Sequence, residues 1–387
     1  MIKETNTAEI DTHPLAGKIL SGADTVIQVL ADEGVDTVFG YSGGAILPIY
    51  DAVFRYNRHH EQPDRNSAMR LVVPANEQGA GFMAAGYARA SGKVGVVMVT
   101  SGPGATNTVT PVRDCMADSI PIVVITGQVP RAAIGTDAFQ EAPVAAVMGS
   151  VAKHVFLVTD SEQLEDTVRS AFELARTGRP GPVVVDIPKD VQNWEGAFKG
   201  TGTLPLHGYR RRLAAVTENK LSDDDCERFF TMLSEAERPL IYAGGGVING
   251  NATKAMRHLA NEYGIPVTTT LMALGASDTN HPLALHMLGM HGVASANYAV
   301  EDCDFLIAIG ARFDDRVAGD PPNFSPRAKH IAQFDVDSAE IGKVKRVSWH
   351  HVGILNSDLT DILDYGRRIK FKKSFAKWHE EIAELKR

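Results

Sequence analysis

Residues 94–107 read VGVVMVTSGPGATN, an apolar run that leads directly into a glycine-rich turn. A short run that is apolar at nearly every position predicts a strand buried on both faces. Comparable runs, several of them separated by helical patterns, occur at 36–40, 69–73, 121–127, 154–158 and 182–188. Buried strands that alternate with helices predict a parallel sheet covered by helices. We therefore predict a doubly wound α/β domain over residues 21–193.

The second half of the chain repeats this pattern. Ser222 is a predicted N-cap for a helix at 222–236, because serine accepts hydrogen bonds from the first turn. Apolar strands are predicted after this helix at 239–245, 266–270, 304–310 and 330–337. The pattern predicts a second α/β domain over residues 221–369.

Four segments flank or interrupt these domains. Residues 1–20 are expected to be a disordered lead-in, and residues 57–68 a polar surface insertion. Residues 194–220 are rich in Gly, Pro and Arg without periodicity, which predicts a linker. The apolar spacing in residues 370–387 predicts an amphipathic helix. We expect another domain or chain to cover its apolar stripe. The alternative is that this stripe folds back on the second domain. Its members are Phe371, Phe375, Trp378, Ile382 and Leu385.

Composition restricts the functional classes. The 387 residues include 47 Asp and Glu against 39 Lys and Arg, so the formal charge of −8 argues against nucleic acid or an anionic membrane as the main partner. Cys115, Cys226 and Cys303 are scattered, which supports neither a disulfide framework nor a zinc site and fits a reducing, cytoplasmic compartment. The first twenty residues resemble neither a signal nor a transit peptide, and no apolar run predicts a membrane span.

Several motifs are ambiguous by themselves. Glu77 stands where a predicted strand ends and a helix begins, the edge at which open α/β sheets bind ligands. Its charge would also interact favourably with the helix N-terminus, without any ligand. The turn at 101–107 is explained equally well by backbone geometry or by a ligand. Lys189, at the end of a strand, is by itself most simply a solvated charge.

Longer strings carry a resemblance to a known family. Residues 77–92 (EQGAGFMAAGYARASG), 101–104 (SGPG), 135–141 (GTDAFQE) and 310–317 (GARFDDRV) resemble acetohydroxyacid synthase large subunits, which depend on thiamine diphosphate. The resemblance covers roughly residues 20–370. The sequence departs from the family at Asn76, where His is usual, and at Ser42, where Pro is usual.

The resemblance implies the acetolactate synthase reaction. Pyruvate would be decarboxylated on thiamine diphosphate, and the hydroxyethyl unit joined to a second pyruvate or to 2-ketobutyrate, for branched-chain amino-acid biosynthesis. Glu77 is implied to hydrogen-bond N1′ of the aminopyrimidine and so to promote loss of the thiazolium C2 proton. FAD is implied as a second cofactor, and a homodimer and a regulatory small subunit as assemblies.

The resemblance also implies which residues form the site. Catalytic roles are implied for Glu77, Gln140, Lys189 and Arg316, with the guanidinium of Arg316 receiving a 2-ketoacid carboxylate. Pro130, Ala138, Phe139 and Asp315 would line the substrate channel; without the resemblance, Phe139 would be interpreted as a packing residue. Further contacts with thiamine diphosphate or FAD are implied for Gly43, Gly44, Ser101, Gly102, Pro103, Gly104, Asn107, Arg179, Gly244, Gly245, Gly246, Thr270, Leu271, Met272, Gly289, His291, Gly310, Arg312 and Asp335.

Other sequence features exclude some chemistries and leave others open. Asn249 interrupts a G-x-G-x-x-G fingerprint at Gly244, which disfavours a nicotinamide enzyme. His286 and His291 are badly spaced for a shared metal, so we predict no metal site. Two alternatives remain: a related thiamine-dependent 2-ketoacid oxidase or decarboxylase, and a non-catalytic fragment or partner chain.

The family's third α/β domain holds Mg²⁺ and the diphosphate through a Gly-Asp-Gly motif. The sequence contains one Gly-Asp pair, Gly319-Asp320, and Pro321 follows it. We therefore expect the third domain to be absent and the Mg²⁺ ligands to lie outside this chain. The isolated chain is expected to make no acetolactate without that domain.

Overall fold

A computed structural model describes residues 13–59 and 68–387. The chain divides into two compact units after Leu206. Residues 1–12 of the predicted lead-in and residues 60–67 of the predicted insertion lie outside the described residues. Each unit has its own six-stranded parallel sheet with flanking helices, which confirms the predicted fold class.

The first unit contains a main sheet and a separate pair of short strands. Its strands are β1 (Ile19–Ser21), β2 (Thr37–Tyr41), β3 (Arg70–Val72), β4 (Gly95–Val99), β5 (Ile122–Gln128), β6 (His154–Leu157), β7 (Val183–Pro188) and β8 (Glu195–Ala197). Its helices are α1 (Gly22–Asp32), α2 (Leu47–His59), α3 (Glu77–Ser91), α4 (Pro103–Thr106), α5 (Val109–Asp118), α6 (Val144–Gly149), α7 (Leu164–Arg176) and α8 (Lys189–Gln192). The main sheet has the order β3-β2-β4-β5-β7-β6, and all six of its strands fall on predicted runs.

Helix α3 approaches the sheet closely because its inward face is built from small residues. Ala80, Gly81 and Ala84 are buried, and a methyl group at Gly81 would overlap the ring of Pro111. Met83 lies outside this face and is exposed, and Tyr87 is only half-buried. The small residues thus define the inward face of α3 and allow its tight packing.

Two segments predicted to be irregular pair with each other. Strand β1 runs antiparallel to β8, and the backbone N–H of Gly17 donates to the carbonyl of Phe198 at 2.8 Å. The prediction of disorder is therefore wrong for residues 13–20, and the linker prediction is wrong at residues 195–197. Local composition does not reveal a ladder between segments so distant in sequence.

The second unit is built on the sheet order β11-β10-β9-β12-β13-β14. Its strands are β9 (Pro239–Ala243), β10 (Val267–Thr269), β11 (Ala284–Met287), β12 (Phe305–Ile309), β13 (His330–Asp335) and β14 (Trp349–Val352). Its helices are α9 (Tyr209–Glu218), α10 (Asp223–Glu235), α11 (Gly246–Asn249), α12 (Thr253–Tyr263), α13 (Ala294–Asp302), α14 (Leu355–Arg368) and α15 (Ala376–Leu385). Ser222 caps α10 as predicted, by accepting from the N–H of Asp225. Helix α9 lies within the predicted linker, which is therefore not irregular there.

The apolar stripe predicted at residues 370–387 is largely covered by the second unit itself. Helix α15 packs its apolar side on the core of the second unit, where Phe375, Trp378 and Ile382 are buried. The indole N–H of Trp378 donates to the carbonyl of Pro239 at 3.0 Å. The expected covering by another domain or chain is wrong for these three residues, because the stripe folds back on its own unit.

Both sheets share the topology that creates a crevice at their carboxyl edge. In the first unit β3 lies on one side of β2 and β4 on the other, and in the second unit β10 and β12 flank β9 in the same way. Where the connections from two adjacent strands run to opposite sides of the sheet, a crevice opens at the carboxyl ends of those strands. Ligands of open α/β sheets bind in this crevice. In the part of the chain that the structure describes, every helix is too short or too polar to span a membrane.

Candidate functional site

Glu77 is the first residue of α3 and follows the carboxyl end of β3, as predicted. Asn76 caps this helix, because its side-chain oxygen accepts from the N–H of Gly79 at 2.8 Å. Asparagine is among the best N-cap residues, which gives Asn76 a structural role in place of the family's usual histidine. The Glu77 side chain is half-buried at the start of the helix.

The glycine-rich turn after β4 reaches Glu77. The amide of Asn107 donates from Nδ2 to Oε2 of Glu77 at 2.9 Å. A methyl group at Gly104 would lie 3.7 Å from the other carboxylate oxygen, Oε1. Tyr50 is buried and donates to the carbonyl of Met98, and burial with the charge of Glu77 raises the pKa of its phenol. Two motifs thirty residues apart thus meet at one carboxylate.

The same turn also contacts the GTDAFQE loop. Gly102 has a positive φ of 54°, and a methyl group there would overlap the backbone of Gln140. Ser101 and Gly104 are buried within the turn, and Pro103 opens α4. The turn at 101–107 therefore contacts both Glu77 and the backbone of Gln140.

The loop after β2 completes this edge of the sheet. A methyl group at Gly43 would lie 2.5 Å from Cγ2 of Thr100, whose hydroxyl accepts from the N–H of Ala45 at 3.2 Å. Gly44 differs, because a methyl group there would meet no atom within 4 Å. Packing within the chain accounts for glycine at position 43 but not at position 44. Open space beside Gly44 fits a ligand close to the backbone.

A buried polar network anchors the segment from Gln128 to Glu141. Asp186 is 1% exposed and accepts from the hydroxyl of Thr126 at 2.6 Å and from Nε2 of Gln128 at 3.0 Å. Gln128 also donates to the carbonyl of Ala142 and accepts from the N–H of Val129, so it ties both ends of the loop. Burial raises the pKa of Asp186 to about 6, against the opposing effect of these hydrogen bonds.

The tip of this loop projects outward. Phe139 is 87% exposed, so its interpretation as a packing residue is wrong. Pro130 and Gln140 are exposed, and Ala138 is half-buried. The loop thus presents apolar groups at its surface, and Gln140 within it contacts the SGPG turn.

Two basic residues that the resemblance implies in the site lie near β7 of the first unit: Arg179 precedes this strand, and Lys189 follows it as the first residue of α8. Lys189 is half-buried at the start of α8, and the next residue, Asp190, pairs with Nε of Arg131 at 2.7 Å. Arg179 donates from Nε to the hydroxyl of Ser119 at 2.9 Å, and its carbonyl accepts from Nζ of Lys153. Contacts within the chain thus already hold part of the Arg179 side chain.

In the second unit, glycines form a cradle at the crevice between β9 and β12. The N–H of Gly246 donates to the carbonyl of Gly310 at 3.1 Å, and a methyl group at Gly246 would lie 2.7 Å from Cα of Gly310. A methyl group at Gly244 would overlap the same carbonyl, and one at Gly245 would lie 2.9 Å from Cβ of Met272. Only glycine permits this approach, which leaves bare backbone at the strand ends.

The other residues implied in flavin contact follow neighbouring strands of this sheet. The N–H of Thr270 donates to the carbonyl of Ala243, which brings Leu271 and Met272 beside the glycine cradle; the Leu271 side chain is exposed. Gly289 exchanges two hydrogen bonds with the side chain of Asn297, and His291 is exposed.

The segment after β12 carries the charged groups. Arg312 lies 3.7 Å from the carboxylate of Asp314, which also accepts from the N–H of Arg316. Asp315 and Arg316 are exposed. Arg312, Asp314 and Asp315 line a cavity of about 200 Å³ together with Glu340 and Lys343. Asp335, at the end of β13, is buried and accepts from the N–H of Asp337 at 2.9 Å.

Several polar side chains that hold these loops are not among the residues predicted from the sequence. Asp186, Gln128 and Glu141 hold the loop that carries Phe139 and Gln140, and Gln192 donates to the carbonyl of Ala45 at 2.7 Å. A usable signal was present for Asp186, because a carboxylate within an otherwise apolar buried strand needs partners. Among the described residues, no group of three or more His, Cys, Asp or Glu side chains is arranged to hold a metal ion.

Comparison with known proteins agrees with this geometry. Residues 20–148 match the family model described as thiamine pyrophosphate enzyme, N-terminal TPP binding domain, and residues 226–362 match the central domain of the same enzymes. The chain is 44% identical over 373 residues to acetolactate synthase, chloroplastic, of Arabidopsis thaliana, an alignment that covers 93% of this chain and 52% of the relative.

Bacterial relatives give the same result. Identity is 44% over 368 residues to the acetolactate synthase large subunit of Corynebacterium glutamicum (95% of this chain, 56% of the relative). It is 43% over 370 residues to the acetolactate synthase isozyme 1 large subunit of Escherichia coli (96% and 61%). The chain thus spans a little over half the length of these relatives. By both of its units, it belongs to the thiamine pyrophosphate enzymes and is related to the large subunit of acetolactate synthase.

Proposed function

We propose that this chain supplies the pyrimidine-binding and flavin-binding parts of an acetolactate synthase. The observation that carries the proposal is the meeting of three strand-end segments, in which the turn at 101–107 contacts both Glu77 and Gln140. Asn107 donates to the Glu77 carboxylate, Gly104 lies beside the other oxygen, and Gly102 packs on Gln140. A ligand at this edge would meet one carboxylate, bare backbone and an exposed phenylalanine.

The residues present fit thiamine diphosphate. When bound, that cofactor supplies the carbon nucleophile and the electron sink for decarboxylation. Glu77 would hold a proton at the pyrimidine, since a half-buried carboxylate at a helix start is oriented and only partly solvated. Asn107 fixes one of its oxygens and leaves Oε1 for the ligand. Gln140 and Phe139 would face the 2-ketoacid, Lys189 would lie on its route, and Pro130 and Ala138 would line the channel.

The second unit fits FAD, which we propose as the second cofactor. Its glycines bring the backbone after β9 against the backbone after β12, at the crevice where an extended dinucleotide binds in open sheets. Arg312 is half-buried near the carboxylate of Asp314, and Thr270 to Met272 lie beside the cradle. Arg316 is exposed and would receive the carboxylate of the acceptor ketoacid.

Mg²⁺ and the diphosphate are proposed to be held by residues outside positions 1–387. The sequence has no Gly-Asp-Gly motif, and the described residues offer no cluster of three metal-ligating side chains. A homodimer, a regulatory small subunit and a cytoplasmic location are further proposals. The three cysteines are free and buried, as expected in a reducing compartment.

Product analysis tests the proposed function. The chain is supplied with pyruvate, thiamine diphosphate, Mg²⁺ and FAD, alone and with a separately purified diphosphate-binding domain of an acetolactate synthase. We expect acetolactate in the complemented mixture and none from the chain alone. Acetyl phosphate or free acetaldehyde as the main product would assign a related oxidase or decarboxylase instead. No product in either mixture would contradict the proposal.

A further inference from the structure

The segment from Ala138 to Glu141 is a β-turn with a strained residue at its third position. The N–H of Glu141 donates to the carbonyl of Ala138 at 2.9 Å, so Phe139 and Gln140 are the two central residues. Gln140 has a φ of 56°, a backbone conformation that residues other than glycine rarely adopt. Such strain persists only where the surroundings over-determine it, and it clusters at functional sites.

Two contacts determine the conformation of this turn. Gly102 packs on the Gln140 backbone so closely that a methyl group would overlap it. From the other side, the carboxylate of Glu141 folds back over the loop. Its Oε1 accepts from the N–H of Gly135 at 2.5 Å, and its Oε2 accepts from the N–H of Ala138 at 3.1 Å. These backbone hydrogen bonds lower the pKa of Glu141, as expected when they favour the charged form.

The Glu141 side chain therefore closes the turn a second time. Ala138 and Glu141 exchange a backbone bond and a side-chain bond, while Gly135 anchors the other oxygen. Asp137 also has a positive φ, of 58°, so the stretch between the two anchors is itself strained. Without the carboxylate, two N–H groups would lose their acceptor and both strained residues could relax.

We propose that Glu141 is a positioning residue that holds Gln140 and Phe139 in place for the 2-ketoacid. This inference rests on the proposed function and adds to it a residue that acts through its neighbours. Glu141 is directed at the backbone of its own loop and not at Glu77 or the pyrimidine. Its loss should therefore lower the rate through Gln140 while leaving the Glu77 carboxylate intact.

The test has one readout that needs no activity. In Glu141→Gln, the side-chain amide has one oxygen that can accept from Gly135 or Ala138. Its NH₂ group would face the other backbone N–H, and two donors cannot bond to each other. We expect amide hydrogens of residues 135–138 to exchange at least about tenfold faster than in wild type. Glu195→Gln, at an exposed acid of β8, removes the same charge and should leave this exchange unchanged. Exchange at the wild-type rate in Glu141→Gln would overturn the proposal.

The second readout is a double-mutant cycle in the active assembly. Misplacing a reacting group by about 1 Å can cost about 10²-fold, so we expect Glu141→Gln to lower kcat by about tenfold to 10²-fold. If Glu141 acts through Gln140, combining it with Gln140→Ala adds little further loss. Multiplicative effects would overturn the positioning role. If wild type makes no acetolactate, the proposed function fails, while the exchange result still shows whether Glu141 orders the loop.

Discussion

The carboxyl edges of the two sheets are built by different means. In the first unit, side chains hold the edge: Asn107 on Glu77, Glu141 on its own loop, and Gln128 on Asp186. In the second unit, glycine backbones meet directly at Gly244, Gly246 and Gly310. An edge held by carboxylates and amides can place proton-transferring groups. An edge without side chains lets an extended ligand approach the backbone closely. Under the proposed function, the same topology would serve chemistry in one unit and binding in the other.

The largest effect is expected from variants at the carboxyl edge of the first sheet, where side chains hold Glu77. Glu77→Gln keeps the size of the side chain but removes the proton-accepting group, so turnover should fall by roughly 10²–10⁴ in the active assembly. Asn107→Ala should lose about tenfold, the worth of one hydrogen bond to a charged group. Steady-state kinetics with pyruvate measures both. If the two variants retained wild-type kcat, the first edge would not be the place of proton transfer.

Asp186 tests the buried network beneath the same edge. Its pKa is raised to about 6 in the folded protein, against about 3.9 when unfolded. The folded state therefore binds more protons between these values, and the contribution of Asp186 to stability decreases as pH rises through them. At 1.36 kcal/mol per unit, the loss is about 2–3 kcal/mol.

Asp186→Asn isolates this contribution, because the variant cannot titrate. The free energy of unfolding of wild type minus that of the variant should fall by about 2–3 kcal/mol between about pH 4 and 7. Denaturant unfolding at each pH measures the difference. A difference that stays flat, or rises with pH, would show that the carboxylate is ionised in the folded protein at little cost.

The smallest effects are expected from glycine variants, which compare the carboxyl edge of the second sheet with that of the first. Gly244→Ala forces a methyl group onto the backbone at Gly310 and Ala311, which cannot move aside as a flexible side chain could, so we expect a loss of about 1–3 kcal/mol in unfolding free energy. Gly44→Ala in the first unit meets no atom and should change stability by less than about 0.5 kcal/mol, yet weaken thiamine diphosphate binding. Equal destabilisation by the two variants would remove the contrast between a packing glycine and a ligand glycine.

In the second unit the sequence predicts the four inner strands and misses the two outer ones, whereas in the first unit the outer strands β3 and β6 are predicted as well. Strands β9, β10, β12 and β13 appear as apolar runs because they are buried on both faces. The edge strands β11 and β14 were missed, since they are short and His286, His350 and His351 interrupt their apolar character. Apolar periodicity reports burial, and an edge strand is only partly buried.

The candidate site shows a similar division. The motif strings place Glu77, the SGPG turn and Gln140 at one edge because each follows a parallel strand. The direction of a side chain within a loop cannot be predicted from these motif strings. That Asn107 donates to Glu77, and that Glu141 folds over Gly135, depends on the path of each loop and leaves no periodic trace. The fold-back of α15 was likewise open, since an amphipathic stripe shows that it needs a partner but not which one.

Exchange of the thiazolium C2 proton of thiamine diphosphate is the most direct measurement of the role of Glu77. The active assembly containing this chain would be loaded with cofactor, transferred to deuterated buffer, quenched with acid at set times and followed by proton NMR, for wild type, Glu77→Gln and the control Glu195→Gln. We predict that Glu77→Gln slows the exchange by roughly 10²–10⁴ while Glu195→Gln matches wild type. Exchange in Glu77→Gln at the wild-type rate would contradict the assignment of proton transfer to this edge.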